Sequence, residues 1–203
     1  MSDGRDIYAT LRADLRVVAD LIQPNERVLD LGCGDGTLLR YLMDAKHIIG
    51  RGVELSEAGV LACVRQGVTV RQGDLNLELR DYPDKSFDTV ILSYTLPYLN
   101  DPAFIIKDML RVGRRAIVSF PNWGYWRSRL SLLLTGRMPR APIDPQPWDS
   151  APRARPLTVG DFTDLCARHE FRIASQICLQ GAQRVPVRFD TNLRATTAIF
   201  ELH

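Results

Sequence analysis

Apolar side chains in the first two dozen residues fall at Ile7, Leu11, Leu15, Val18 and Ile22. Intervals of four, four, three and four put them on one face of a single amphipathic helix, ending before Pro24-Asn25. Beyond that point the apolar runs shorten and are bounded by glycine, proline and acidic residues. They predict strands at 27–31, 48–54, 68–72, 89–93 and 116–120. Helical periodicity fills the intervals: 37–44, a segment opened by Ser56 and stopped by Gly67, and one running from Asp101-Pro102 to Val112-Gly113. Asp101 is suited to cap that last helix, and Pro102 to its first position, where a missing N–H costs nothing. Strand and helix alternate for 120 residues, which predicts a parallel sheet covered by helices on both faces.

After Pro121 the pattern changes. Residues 123–134 read as a helix, aromatic early and leucine-rich late, and Leu130, Leu132, Leu133 and Leu134 are expected in the core. Six of the twelve prolines lie between 139 and 156. An elaborated loop at about 136–157, functional or mobile, is the expectation. Thr158 and Asp161 form a helix-capping pair that leads through Phe162, Leu165 and Cys166. Two further strands, at 172–179 and 195–202, bring the count to seven, in one domain spanning 1–203.

Composition narrows the function classes. The chain has 203 residues, 45% apolar and 25% charged, with a net charge of +2. That length buries a core without disulfides or a structural metal. Cys33, Cys63, Cys166 and Cys178 are scattered, as in a reduced cytoplasmic protein rather than a zinc or disulfide framework. No 18-residue apolar run suggests a membrane span, and the polar start MSDGRDIYATLR is no secretory signal. The small net charge does not suggest nucleic-acid binding. It is unevenly spread: residues 1–110 carry 12 basic and 17 acidic side chains, residues 111–203 carry 14 and 7. A basic C-terminal half suits a solvated face or an acidic partner.

The chemistry concentrates at strand ends. Val28-Leu29-Asp30-Leu31-Gly32-Cys33-Gly34-Asp35-Gly36 is an apolar strand ending in an acid, then glycines at alternate positions, then a helix. Such glycines let the backbone approach a ligand closely. The spacing is not the G-x-G-x-x-G that accepts a pyrophosphate, and Asp30 would repel a phosphate. A cationic ligand such as a sulfonium amino acid fits better, so S-adenosylmethionine (SAM) is favoured over NAD. Glu54 closes the second strand, where a carboxylate accepts from both ribose hydroxyls. Past the third strand, Gly73-Asp74-Leu75 offers an acceptor for an adenine amino group and an apolar cover for the ring. Ser93-Tyr94-Thr95-Leu96-Pro97 leaves the fourth strand at the mouth where open α/β sheets bind ligands. The candidate cofactor-binding set is Asp30, Gly32, Cys33, Gly34, Asp35, Gly36, Glu54, Leu55, Gly73, Asp74, Leu75, Ser93 and Tyr94.

The set Asp30-x-Gly32-x-Gly34-x-Gly36, Glu54 and Gly73-Asp74 resembles the class I SAM-dependent methyltransferase fold, a Rossmann-like α/β architecture with a seven-stranded, mostly parallel sheet. Two further blocks narrow the resemblance. One runs from Arg111 through Ser119-Phe120-Pro121-Asn122 to Trp126-Arg127 and Gly136-Arg137-Met138-Pro139. The other is Thr158-x-x-Asp161-Phe162-x-x-Leu165-Cys166. Both are similar to the methionine biosynthesis protein MetW family. That resemblance implies binding of SAM or S-adenosylhomocysteine and a supporting role beside a homoserine O-acyltransferase, an α/β-hydrolase enzyme. Members commonly carry Trp-Tyr-Asp-Thr-Pro-Asn-Ile-His where this chain reads Trp148-Asp149-Ser150-Ala151-Pro152-Arg153-Ala154-Arg155. The second aromatic and the histidine are missing.

No catalytic residue is assigned from sequence. His47, His169 and His203 all fall away from the strand-end mouth, and Tyr94 reads equally as a polarising group or a cover for the ligand. Trp123-Gly124-Tyr125-Trp126-Arg127 reads as a substrate lid or a protein contact surface, with at least one tryptophan packed on the sheet. Two functions follow as expectations: an accessory subunit of the acyltransferase, or a methyltransferase with an unidentified acceptor.

Overall fold

The computed structural model describes residues 4–75, 79–139 and 154–203. Its strands are β1 (Arg27–Leu31), β2 (Ile49–Glu54), β3 (Val70–Gln72), β4 (Phe87–Ser93), β5 (Gly113–Pro121), β6 (Ile173–Gln180), β7 (Gln183–Val185) and β8 (Thr197–Leu202). They form one sheet in the order β3-β2-β1-β4-β5-β8-β6-β7. The first five are mutually parallel, and β8 runs antiparallel between β5 and β6. The helices are α1 (Gly4–Thr10), α2 (Ala13–Leu21), α3 (Thr37–Lys46), α4 (Glu57–Arg65), α5 (Pro102–Val112), α6 (Trp126–Thr135), α7 (Val159–Arg168) and the short α8 (Thr191–Arg194).

Strand residues alternate between two cores, because successive side chains leave opposite faces of a sheet. Val28, Ile91, Ile117 and Ile199 join Val18, Ile22, Leu39 and Leu42 beneath α2 and α3. Leu29, Val90, Val118 and Phe200 join Ile105, Met109 and Phe162 beneath α5 and α7. Phe120, Phe162 and Phe200 pack as an aromatic trio with centroids 4.6–5.9 Å apart. Local capping agrees with the sequence. Asp101 accepts from the Phe104 N–H at 3.0 Å, and Thr158 and Asp161 complete a reciprocal capping box.

Three expectations are corrected. The sheet has eight strands, not seven. The extra one, β7, pairs back onto β6 across the two-residue turn Gly181-Ala182, with Gly181 at φ +61°. Three residues with a single apolar side chain are too short to register as a strand on their own. The N-terminal helix is two helices, parted at Leu11-Arg12, where Arg12 is extended at φ −55°, ψ 153°. Leu11 and Val18 stay buried on either side, so the apolar stripe survives the break. Lastly, Leu130, Leu132, Leu133 and Leu134 are not core residues: nothing on α6 is buried. The proline-rich segment is outside the described residues from 140 to 153, and with it Trp148 to Arg153 of the departure from the MetW pattern. No helix among the described residues is long and apolar enough to cross a membrane.

Candidate functional site

β1 delivers Asp30 to the C-terminal edge of the sheet, and the chain leaves through the glycine turn. Gly32 donates to the Val53 carbonyl at 2.8 Å with φ +76°, and a Cβ there would collide with the Thr95 side chain. Gly34 is glycine for a different reason. A Cβ there would meet nothing within 4 Å, but φ is +58°, and its N–H donates to Glu54 Oε2 at 2.9 Å. The other Glu54 oxygen accepts from the Ser56 N–H at 2.8 Å. A carboxylate offers about four acceptor positions, so Glu54 keeps capacity for ligand hydroxyls. Asp35 accepts from the Thr37 N–H at 3.0 Å and starts α3.

A cavity of about 490 Å³ opens over β1 and β4, lined by Asp30, the turn from Gly32 to Asp35, Ser93, and Thr10 to Arg12 from the α1–α2 break. That is within the roughly 300–1,000 Å³ of small-molecule sites. Asp30 is 3% exposed, and its Oδ1 is buried without a hydrogen-bond partner. Burial pushes its carboxyl up to about 7, against the pull of the Arg12 guanidinium and with Glu54 and Asp14 adding to the rise. An orphaned carboxylate beside a cavity has the chemistry to accept a cation.

Arg12 supplies the opposite sign. It contacts the buried Asp14 carboxylate at 3.1 and 3.2 Å, donates to Ser93 Oγ at 2.9 Å, and lies over the Tyr94 ring at 4.3 Å. Asp14 also accepts from Ser93 Oγ at 2.8 Å and Ser119 Oγ at 3.1 Å. One cation, Arg12, and two acids, Asp30 and Asp35, therefore line a single cavity, and the Arg12–Asp30 pair suits the zwitterionic head of an amino acid.

The remaining candidates divide. Tyr94 sits in the left-handed region at φ +57°, with its hydroxyl 2.8 Å from Thr197 Oγ1, and burial pushes its phenol up. At neutral pH it is no base. Cys33 lies 3.6 Å from Cys63, sulfur to sulfur, and burial raises both thiols. Gly36 is packed against Cys63. The Gly73 N–H donates to the Glu54 carbonyl at 3.1 Å. Asp74 and Leu55 are exposed at the same edge, while Leu75 is buried in the core with Val53 and Leu79. Gly36, Glu54, Leu55, Gly73 to Leu75 and Tyr94 do not line the cavity, and neither does any histidine. Sequence reasoning missed Arg12, Asp14 and Ser119. No motif marks them.

An acid and glycine turn after β1, an acid closing β2 and Gly-Asp after β3 define the class I SAM-dependent methyltransferase fold. Two solved methyltransferases share it. One, putative, is from Listeria monocytogenes (TM-score 0.68, 19% identity, 94% of this chain and 97% of that one). The other is from Archaeoglobus fulgidus (TM-score 0.67, 17% identity, 98% and 94%). At those identities the likeness is one of fold alone. The chain belongs to the family of the methionine biosynthesis protein MetW, whose model matches residues 12–202. It is 35% identical over 205 residues to the bifunctional methionine biosynthesis protein MetXA/MetW of Rhodopirellula baltica, taking in 96% of this chain and 33% of that protein. The chain spans from a third to about half the length of the curated relatives it matches.

Proposed function

We propose that this chain, folded as one domain, binds SAM or S-adenosylhomocysteine and acts as an accessory subunit of a homoserine O-acyltransferase in methionine synthesis. The observation that carries the reading is the Rhodopirellula relative, in which a MetW part and a MetXA part share one polypeptide. We take MetXA to be the acyltransferase. Fusion keeps two modules at one-to-one stoichiometry and high effective concentration, which benefits proteins that work in contact.

The site's residues fit the cofactor. Asp30, buried with an unpartnered oxygen, suits the α-ammonium of the methionine moiety. Arg12, held between Asp14 and Ser93, suits its carboxylate. Glu54 has capacity left for the ribose hydroxyls, and Asp74 with its neighbours at the β3 end would meet the adenine. When bound, SAM supplies an electrophilic methyl group on a sulfonium. The residues here bind and orient.

Co-expression with the acyltransferase of the same organism, followed by size-exclusion chromatography and a turnover assay, tests the reading. Co-elution with raised turnover is expected; separate migration with unchanged turnover overturns it. The intact Asp30–Arg12–Glu54 constellation supports a second reading, a methyltransferase with an unidentified acceptor. For that, label from SAM would enter a component of a cell extract, and Glu54→Ala would abolish the transfer.

A further inference from the structure

Among the described residues, α6 buries no side chain against the rest of the fold. None of its ten residues is buried, whereas α2, α3, α5 and α7 each bury three or more. All of its apolar residues but Leu132 are nonetheless ordered. Trp126, Leu130, Leu133 and Leu134 recur at i, i+4, i+7 and i+8, which is one stripe along a helix. That stripe faces solvent: Leu133 is 80% exposed, Leu134 74%, and Trp126 and Leu130 more than two-fifths. Met138 prolongs the apolar surface past Gly136 and is itself exposed. Exposed apolar side chains grouped in this way, rather than scattered singly, mark candidate interaction sites.

The helix is also firmly rooted. Asn122, 1% exposed at the end of β5, donates to the Asn192 and Ala195 carbonyls and accepts from the Gly124 and Val159 N–H groups. Arg129 donates to the Gly124 carbonyl at 2.7 Å, and Gln180 reaches the Tyr125 hydroxyl at 3.3 Å. A stripe carried on a fixed root needs little further ordering to bind. No α6 residue lines the ligand cavity.

Charge says what kind of surface covers the stripe. Arg127, Arg129 and Arg137 flank it, and no Asp or Glu occurs between Asn122 and Pro139. Two copies of this chain meeting through α6 would bring basic rims together without a countercharge. We infer that α6 is the docking helix for the acyltransferase, its Trp126–Leu130–Leu133–Leu134 stripe entering an apolar groove rimmed by carboxylates on that enzyme. The inference rests on the accessory reading and names the surface that carries it. Helix-in-groove recognition uses this spacing of anchors.

The test pairs Leu133→Asp/Leu134→Asp with a control charge on another exposed apolar position, Leu61→Asp on α4, which is 49% exposed. Circular dichroism and melting temperature should match the wild type in both, since neither change touches buried structure. Wild type and Leu61→Asp are expected to co-elute with the acyltransferase of the same organism, and the double variant to bind at least 100-fold more weakly. Trp126→Ala, a milder change, should weaken binding about tenfold. Equal binding by wild type, the double variant and Trp126→Ala would place the interface elsewhere while leaving the accessory reading intact. Failure of the wild type itself to co-elute would remove both. A self-associated wild type that the double variant returns to monomer would make the occupant a second copy and overturn the inference.

Discussion

Asp30 is held where its charge is least welcome. Burial lifts its carboxyl from an ordinary value of 3.8 to about 7, so the folded chain grips that proton harder than the unfolded one. The sign follows from linkage: this contribution to stability is full below about pH 4 and is lost as pH rises through 7. A bound ammonium reverses the preference, because it favours the ionised form. Affinity for SAM is therefore expected to climb through pH 7 and level off above about 8. Asp30→Asn should flatten that profile and lower affinity at pH 8 by about 1.5–3 kcal/mol, the range for a hydrogen bond to a charged group. Its melting temperature at pH 8 should equal or exceed the wild type's. Calorimetric titrations and melts across that range decide it; a wild-type affinity indifferent to pH would contradict the assignment. Asp30 and the glycines were legible in the sequence because strand-end chemistry is local. Arg12 was not. Nothing in Thr10-Leu11-Arg12-Ala13-Asp14 breaks a helix, and Arg12 acquires its place by reaching Ser93, 81 residues away. Tyr94 is similar, since a left-handed tyrosine carries no mark in sequence.

At the scale of elements, periodicity located α6 but misjudged its surroundings. A helical stripe says which face is apolar and leaves open what covers it, and intramolecular burial was only the commonest answer. Arg115, at the start of β5, shows an opposite case, in which charges are brought together inside the fold. It bonds Glu26 at 2.9 Å, Glu201 at 2.9 Å, Thr89 Oγ1 at 2.8 Å and the Leu21 carbonyl at 2.9 Å. The cluster ties β4, β5, β8 and the end of α2 at the edge of the sheet opposite the ligand cavity. Arg115 and both glutamates are about 15% exposed. Removing the cation strands two mostly buried carboxylates, which costs about 3–5 kcal/mol. Arg115→Ala should accordingly lower the melting temperature by roughly 6–20 °C for a chain of this length. SAM affinity of the folded fraction should stay within about twofold, because the cluster shares no residue with the cavity. A melting temperature within a degree of wild type would show the cluster to be incidental.

For the whole molecule, the two-layer cover and the parallel half-sheet followed from alternating strand and helix patterns over 120 residues. The antiparallel half was harder, because β7 exists only through its pairing with β6. What the linear pattern did carry at this scale was charge. The first 110 residues hold 17 acids against 12 bases and include the cavity; the remainder, with α6, hold 14 bases against 7 acids. A cation-seeking pocket and a basic docking helix are thus on electrically distinct parts of one chain. Charges on the rim of an interface mainly set the rate of encounter, whereas buried apolar contacts set the rate of escape. Salt screens the first over about 10 Å at 0.1 M and leaves the second nearly untouched. If α6 meets a groove with an acidic rim, association with the acyltransferase should slow about tenfold or more between roughly 50 and 500 mM NaCl, with dissociation changing by less than about threefold. Arg127→Glu/Arg137→Glu should start slow and respond weakly to salt, while Leu133→Asp/Leu134→Asp should chiefly hasten dissociation. Surface plasmon resonance on the purified pair separates the two rates. An association rate that ignores salt in the wild type would mean that the arginines beside the stripe face solvent in the complex, and that apolar shape alone selects the partner.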